Sequence, residues 1–242
     1  MKKILIPIFS FLTLGVSAQE LFIENTIITD RPDQTESPNS VGVGVVQIES
    51  GVLFERSEIS RAISIERTVY PTNFFRVGLV NKLELRIVNE VVKYNTISNL
   101  IQKEVSTVKG TENMQVGLKY QITEDNATTE VGVMAHAIVP TGSTGISNEL
   151  YGIFSRVNIS RDIAENKNLS ANFGYNNFDL DFTDEGLVKY ADGNFTYTLV
   201  YGVGLGNRVG LYLEAFGDYV EFQDWENNMD AGMTYLLNNN IQ

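Results

Sequence analysis

One histidine, no cysteine and a set of charged residues at alternate positions are the groups here that could do chemistry. His136 beside a serine and a polar orienting group would give nucleophilic acyl-transfer chemistry. Ser143 and Ser147 follow it, but no spacing singles out either, so no catalytic residue is assigned and the chain is not read as an enzyme. A lone histidine without cysteine makes a poor nitrogen or sulfur metal site. The Asp and Asn residues scattered through Phe178–Asp192 lack the ordered spacing of a calcium loop. Gly202, Gly204, Gly206 and Gly210 do not open a helix, and they suit a turn and a crowded interior better than a phosphate cradle. No metal and no cofactor is expected.

The charges are more informative. Glu49, Glu66, Glu84, Glu90 and Glu214 stand against Arg76, Arg86, Lys119, Arg156 and Arg208. With His136, they fall on the polar side of segments that alternate apolar and polar residues. Inside a barrel such a mixed set can form a structural ion-pair network, a constriction that selects solutes by charge and size, or both. A second block, Asp30-Arg31-Pro32-Asp33-Gln34-Thr35-Glu36-Ser37-Pro38, carries two prolines and no periodicity, so it is extended or turn-rich rather than a strand. It is expected to fold into the barrel end as a plug, using Asp30, Arg31, Asp33 and Glu36. Asp30, Asp33 or Glu36 would then pair with Arg76, Arg86 or Arg208; a solvated leader is the alternative.

Ten alternating segments must position these groups. They are Val43–Glu55, Arg61–Leu79, Lys82–Tyr94, Asn113–Ile122, Glu130–Val139, Glu149–Ile159, Asn168–Asn176, Gly193–Leu205, Arg208–Tyr219 and Met229–Leu237. Successive strand side chains point to opposite faces, so each segment separates an oily surface from a polar one. Val52, Phe54, Ile63, Leu83, Leu85, Leu118, Val133, Val157, Phe173, Leu199, Leu211 and Leu213 mark the oily one. A soluble sandwich would bury it; an outer-membrane barrel turns it to lipid. Tyr94, Tyr120, Tyr151, Tyr175, Phe195, Tyr219 and Tyr235 cluster towards strand ends, as an aromatic girdle would. Pro71 predicts a bulge or bend in the second segment.

Connections alternate in length. Val80-Asn81, Glu124–Thr128, Asp162–Asn166 and Gly206-Asn207 are short or moderate, whereas Asn95–Glu112, Pro140–Asn148, Phe178–Asp192 and Val220–Asn228 are longer and polar, the asymmetry of outer-membrane barrels, with Arg56–Ser60 a short exception on the long side. Gly78-Leu79-Val80-Asn81-Lys82-Leu83-Glu84-Leu85 repeats at Gly204-Leu205-Gly206-Asn207-Arg208-Val209-Gly210-Leu211. Leu236–Gln242 begins a third copy, with asparagine expected to take positive φ at each tip. The fold class expected is all-β, an antiparallel transmembrane β-barrel of about 12 strands when complete, ten of them in this chain with the closing C-terminal hairpin missing.

Residues Met1–Ala18 read as a signal peptide. Lys2 and Lys3 start it, Ile4–Val16 is its apolar run, and Val16-Ser17-Ala18 precedes the cut before Gln19. The expected organisation is thus a signal peptide (1–18), a periplasmic N-terminal segment (19–42) and an outer-membrane barrel (43–242). Losing the two lysines takes the formal charge from −12 to −14, too acidic for a nucleic-acid partner. Glycine at 20 residues, with 11 tyrosines and 13 phenylalanines, favours sheet over helix.

The block Thr29–Pro38, followed by Gln47-Ile48-Glu49-Ser50-Gly51, resembles a family of exported Gram-negative barrels catalogued as transporters of the phenol meta-pathway, Bacteroidetes type. The likeness continues at Arg76-Val77-Gly78-Leu79, Leu83-Glu84-Leu85-Arg86, Val116-Gly117-Leu118-Lys119-Tyr120 and Val139-Pro140-Thr141-Gly142-Ser143. It extends to Asn194-Phe195-Thr196-Tyr197 and Asp230–Leu237, nearly the whole mature chain. The resemblance implies an outer-membrane barrel with a transport role. The function expected is therefore a channel or transporter for small molecules, with hydrophobic or aromatic solutes suggested by the family. Gating would fall to the N-terminal segment and the loop Asn95–Glu112. The alternatives are a non-transporting barrel with a structural or loop-mediated binding role, and an outer-membrane hydrolase using His136. Expected partners are outer-membrane lipid, a small-molecule solute and the barrel-assembly machinery.

Overall fold

A computed structural model describes the backbone at residues 3–6, 10–17, 27–125, 127–183 and 186–242, and side chains from residue 27 onward. Every regular element in it is a strand. Two short ones, β1 (Lys3–Ile6) and β2 (Ser10–Ser17), lie within the expected leader and pair antiparallel with the first long strand. The expected cleavage site at Ala18-Gln19 falls outside the described residues.

The long strands are β3 (Val45–Glu58), β4 (Ile63–Val80), β5 (Leu83–Ser98), β7 (Met114–Gln121), β8 (Thr129–Val139), β9 (Tyr151–Ala164), β10 (Lys167–Thr183), β12 (Asn194–Leu205), β13 (Val209–Val220) and β14 (Asp224–Tyr235). Each pairs antiparallel with the next, giving one ten-stranded meander curled into a half-barrel. All ten correspond to the alternating segments of the sequence. Two shorter strands, β6 (Lys103–Thr111) and β11 (Gly186–Lys189), stand off this path and extend β5 and β10.

Burial is inverted relative to a soluble protein. The concave face buries Gln47, Glu49, Arg76, Glu84, Arg86, Lys119, His136, Asn158 and Glu214, each at 4 % exposure or less. The convex face exposes Leu213 and Trp225 at 52 % and Met229 at 69 %. In water this arrangement would waste the hydrophobic effect, whereas in lipid the exposed band is solvated and the polar groups satisfy one another inside. Trp225 stacks on Tyr219 at 4.8 Å near the outer end of that band, with the Phe195 and Tyr197 rings edge-on to it. No helix among the described residues is long and apolar enough to cross a membrane.

Three expectations need correction. The long connections are largely paired: β5 runs to Ser98 and turns back as β6, β10 runs to Thr183 with β11 beside it, and only Glu221–Gln223 separates β13 from β14. These stretches look like loops in sequence because, beyond the oily band, both faces are polar and the alternation that marks a strand disappears. Positive φ falls on Lys82 (65°) and Gly206 (65°), not on Asn81 or Asn207. Finally, Tyr94 leaves the aromatic girdle: its hydroxyl meets Glu112 at 3.3 Å on the concave side.

Pro71 does sit at an irregularity, where the β4–β5 register shifts between Val69 and Thr72. The shift reverses the parity of the preceding residues. Val69 is fully buried and Arg67 points inward to Glu90 and Glu112, so Glu66 is turned to the opposite face.

Candidate functional site

Residues 27–44 enter the half-barrel, cross it and return to β3, making a strap inside the lumen. The strap reaches one wall, β4, β5 and β7, through Asp30. Its Oδ2 accepts from Lys119 Nζ at 2.6 Å and Arg86 Nη1 at 2.7 Å, with Arg76 Nη1 at 3.4 Å. Its Oδ1 accepts from the backbone N of Ser37 at 2.9 Å, so the strap closes into a loop on this carboxylate. Glu84 bridges Arg76 at 2.9 Å and Arg86 at 2.7 Å, and it also accepts from Val41 N at 2.8 Å. Glu49 receives Asp30 N at 3.1 Å and lies 3.3 Å from Arg76. Arg86 stacks over Phe74 at 4.5 Å, with Arg31 over the same ring at 5.6 Å.

On the far wall, Gln34 N donates to Glu214 at 2.8 Å. The Thr35 hydroxyl meets Glu214 and lies 2.7 Å from the Thr198 hydroxyl. Between the walls, Glu36 pairs with Arg86 at 2.5 Å and its backbone contacts Asn172 and Asn158. Asn39 reaches Glu130 at 3.0 Å, and Ser40 reaches Gln121 at 3.0 Å. Two glycines let the strap lie flat: a Cβ on Gly132 would strike the carbonyl of Pro38, and one on Gly78 the carbonyl of Gly42.

The two aspartates of the strap differ in electrostatics. Burial disfavours charge at Asp30, but Arg76, Lys119 and Arg86 outweigh it and hold the carboxyl well below its ordinary value. At Asp33 burial raises the carboxyl well above that value, and Glu214 adds to the effect.

The structure thus gathers Asp30, Glu36, Glu49, Arg76, Glu84, Arg86 and Lys119 into one network. Arg31 joins at its edge through Glu90 at 3.3 Å, and Glu90 also lies 3.6 Å from Arg67. Arg156 donates to Gln34 O at 3.0 Å and stacks over Phe154 at 4.7 Å. Asp33 meets carboxylates rather than an arginine. Arg208 sits exposed in the turn after β12 and makes none of the strap contacts described here. Glu66 forms an exposed pair with Arg56 at 3.3 Å on the outer face, because the Pro71 irregularity flips its strand segment. Sequence reasoning missed Gln121, Asn158, Asn172 and Thr198 as strap partners, since uncharged polar residues on an inner wall look alike. Glycine at inward positions 78 and 132 was the usable signal for a close backbone approach.

His136 Nε2 accepts from Arg86 Nε at 3.0 Å and its ring packs edge-on against Phe154 at 4.9 Å. Ser143 instead bonds within the β6–β8 region, 3.0 Å from Thr111 N. The serine–histidine arrangement of a hydrolase is therefore not assembled between this pair.

An antiparallel sheet that exposes its apolar face and buries a charged one around an inserted segment defines the class of β-barrel proteins that fit an outer membrane. The chain belongs to the family described as "Putative MetA-pathway of phenol degradation", whose profile matches residues 29–242. Fold and family description together fit an outer-membrane, transport-related role. No curated protein matches the chain.

Proposed function

We propose that this protein is an outer-membrane channel or transporter that passes small molecules, aromatic ones among them, through its polar lumen. The observation that carries the reading is the inverted burial: a charged concave interior beneath an exposed apolar band. Such a wall lowers the cost of moving a polar or weakly charged solute across the hydrocarbon layer, because fixed dipoles and charges replace part of its hydration. The aromatic class is supported by the family description alone. The exported, outer-membrane location is supported by the leader-like start and by the band, and the role needs no catalytic residue.

The test is flux. Proteoliposomes containing the full chain should exchange phenol and small sugars faster than empty vesicles do, and the Asp30→Asn variant should exchange faster still. Equal rates in empty, wild-type and Asp30→Asn vesicles would overturn the channel reading in favour of a structural barrel.

A further inference from the structure

The wall formed by β3, β4, β5 and β7 holds three fully buried cations, Arg76, Arg86 and Lys119, and two buried carboxylates of its own, Glu49 and Glu84. One positive charge is left over at the centre of the wall, and it is met by the Asp30 carboxylate. Asp30 comes from a strap that is also held by the Glu36–Arg86 and Arg31–Glu90 pairs and by hydrogen bonds to polar groups. We propose that Asp30 is an internal ligand in a carboxylate-binding site, and that small carboxylate solutes compete for this site and release the strap. This deepens the passage reading and rests on it, since release of the strap is what would open the lumen.

Three features support competition. First, the site grips a carboxylate rather than a particular backbone: Lys119 and Arg86 converge on one oxygen at 2.6 and 2.7 Å, with Arg76 behind. Two guanidiniums and an ammonium arranged this way will accept any carboxylate of suitable access. Second, departure of Asp30 leaves each cation a carboxylate within reach but the wall one positive charge in excess, which an incoming carboxylate would neutralise. Glu84 keeps Arg76 and Arg86 at 2.9 and 2.7 Å and lies 3.9 Å from Lys119, and water can enter where the strap lay. Third, the strap has a glycine-bounded turn about which its part before Gly42 would swing, the turn itself staying fixed to β4 by the Gly44 N to Gly78 O hydrogen bond at 2.9 Å. The strap joins β3 through Gly42-Val43-Gly44, where Gly44 has φ +76° and open space around its Cβ position. Release of the strap would lift Arg31 off the buried Phe74 ring, which would then give an aromatic carboxylate a surface that acetate cannot use.

The chain has no cysteine, so Ser37→Cys gives a unique reporter. The Ser37 hydroxyl is buried without a hydrogen-bond partner, and this variant removes no bond made by that hydroxyl. In the full chain, reconstituted in vesicles, modification of this thiol by a membrane-impermeant maleimide reads strap position directly, whether or not solute flows. Adding Asp30→Asn should raise the labelling rate by about tenfold or more, as expected for loss of charge-assisted hydrogen bonds. Sodium benzoate should accelerate labelling in the otherwise unaltered protein and the neutral isostere benzamide should not, with acetate weaker than benzoate. Lys119→Met should blunt the benzoate effect. Equal labelling with benzoate and benzamide would overturn the carboxylate site. An unchanged rate in Asp30→Asn would overturn the latch even if flux is observed. Accelerated labelling without flux would sink the passage reading while leaving the site standing. Should Asp30→Asn fail to give the heat-modifiable band of a folded barrel, the benzoate and benzamide comparison in the Asp30-containing protein still decides.

Discussion

Asp30 and Asp33 sit three residues apart on the same strap, yet they face walls of opposite character. Asp30 meets Arg76, Arg86 and Lys119, whereas Asp33 lies beside Glu214 with Asp230 nearby. Burial penalises charge on both, and only the neighbours decide which carboxyl is stabilised as an anion. The lumen is therefore neither a uniform polar pore nor a uniform salt-bridge lattice. One wall holds the strap by charge. The other holds it by hydrogen bonds that Gln34 N and the Thr35 hydroxyl donate to Glu214, within a local excess of carboxylates.

The comparison is broken most severely by removing the centre of the basic wall. Arg86→Met would leave Asp30, Glu36 and Glu84 short of a buried counter-charge and take a hydrogen bond from His136. A loss of about 3 kcal/mol or more is expected in urea unfolding in detergent micelles, with Arg86→Lys recovering part of it. A loss below about 1 kcal/mol would mean the network is well hydrated and the wall is not a latch.

Asp33→Asn should act in the opposite direction. It removes a half-buried carboxylate with like-charged neighbours, so the variant should be more stable than the parent at pH 7 by about 1 kcal/mol. The sign follows from linkage. A folded-state value raised above the unfolded 3.8 means that the anion destabilises the fold, and that this cost fades as pH falls through the raised value. The two proteins should therefore converge on acidification towards pH 4. Asp30, depressed below 3.8, contributes stability above that pH and loses it only as pH falls through its own lower value. Divergence of the Asp33 pair on acidification would contradict the two-wall picture.

The smallest effect belongs to the outer face. Glu66→Gln breaks an exposed pair with Arg56 at 3.3 Å and should cost no more than about 0.5 kcal/mol. It should leave benzoate-dependent labelling of Ser37→Cys unaltered. A cost comparable with that of Arg86→Met would place Glu66 in the lumen after all.

How much of this could be read from the residues depended on what each pattern encodes. The ten strands were visible because the oily band imposes strict alternation where a strand crosses it. Asp30 and Glu36 opposite Arg76 and Arg86 were visible through charge sign and through the proline-rich break before β3. Lys119 was assigned to the lumen, but nothing in one strand's sequence tells which of several inward cations a distant carboxylate will meet. Glu66 was assigned to the wrong face because one irregular step at Tyr70-Pro71 inverts every residue before it; parity carries no memory across a bulge. The neutral partners Asn158, Asn172 and Thr198 carried no signal, since each is an ordinary inner-wall residue until the strap is laid beside it.

The paired extensions β5–β6, β10–β11 and the outer halves of β13 and β14 have a mechanical consequence. A ribbon of hydrogen-bonded strands has already given up its backbone freedom on folding, so it resists bending far more than a free loop of equal length. A macromolecule that docked on these projections would lose little of its binding free energy to ordering them. The same stiffness means that forces applied at their tips reach the sheet beneath instead of dissipating in slack chain. On that account the outermost parts of the molecule are levers on the wall that carries Glu90 and Glu112, not tethers hanging above it.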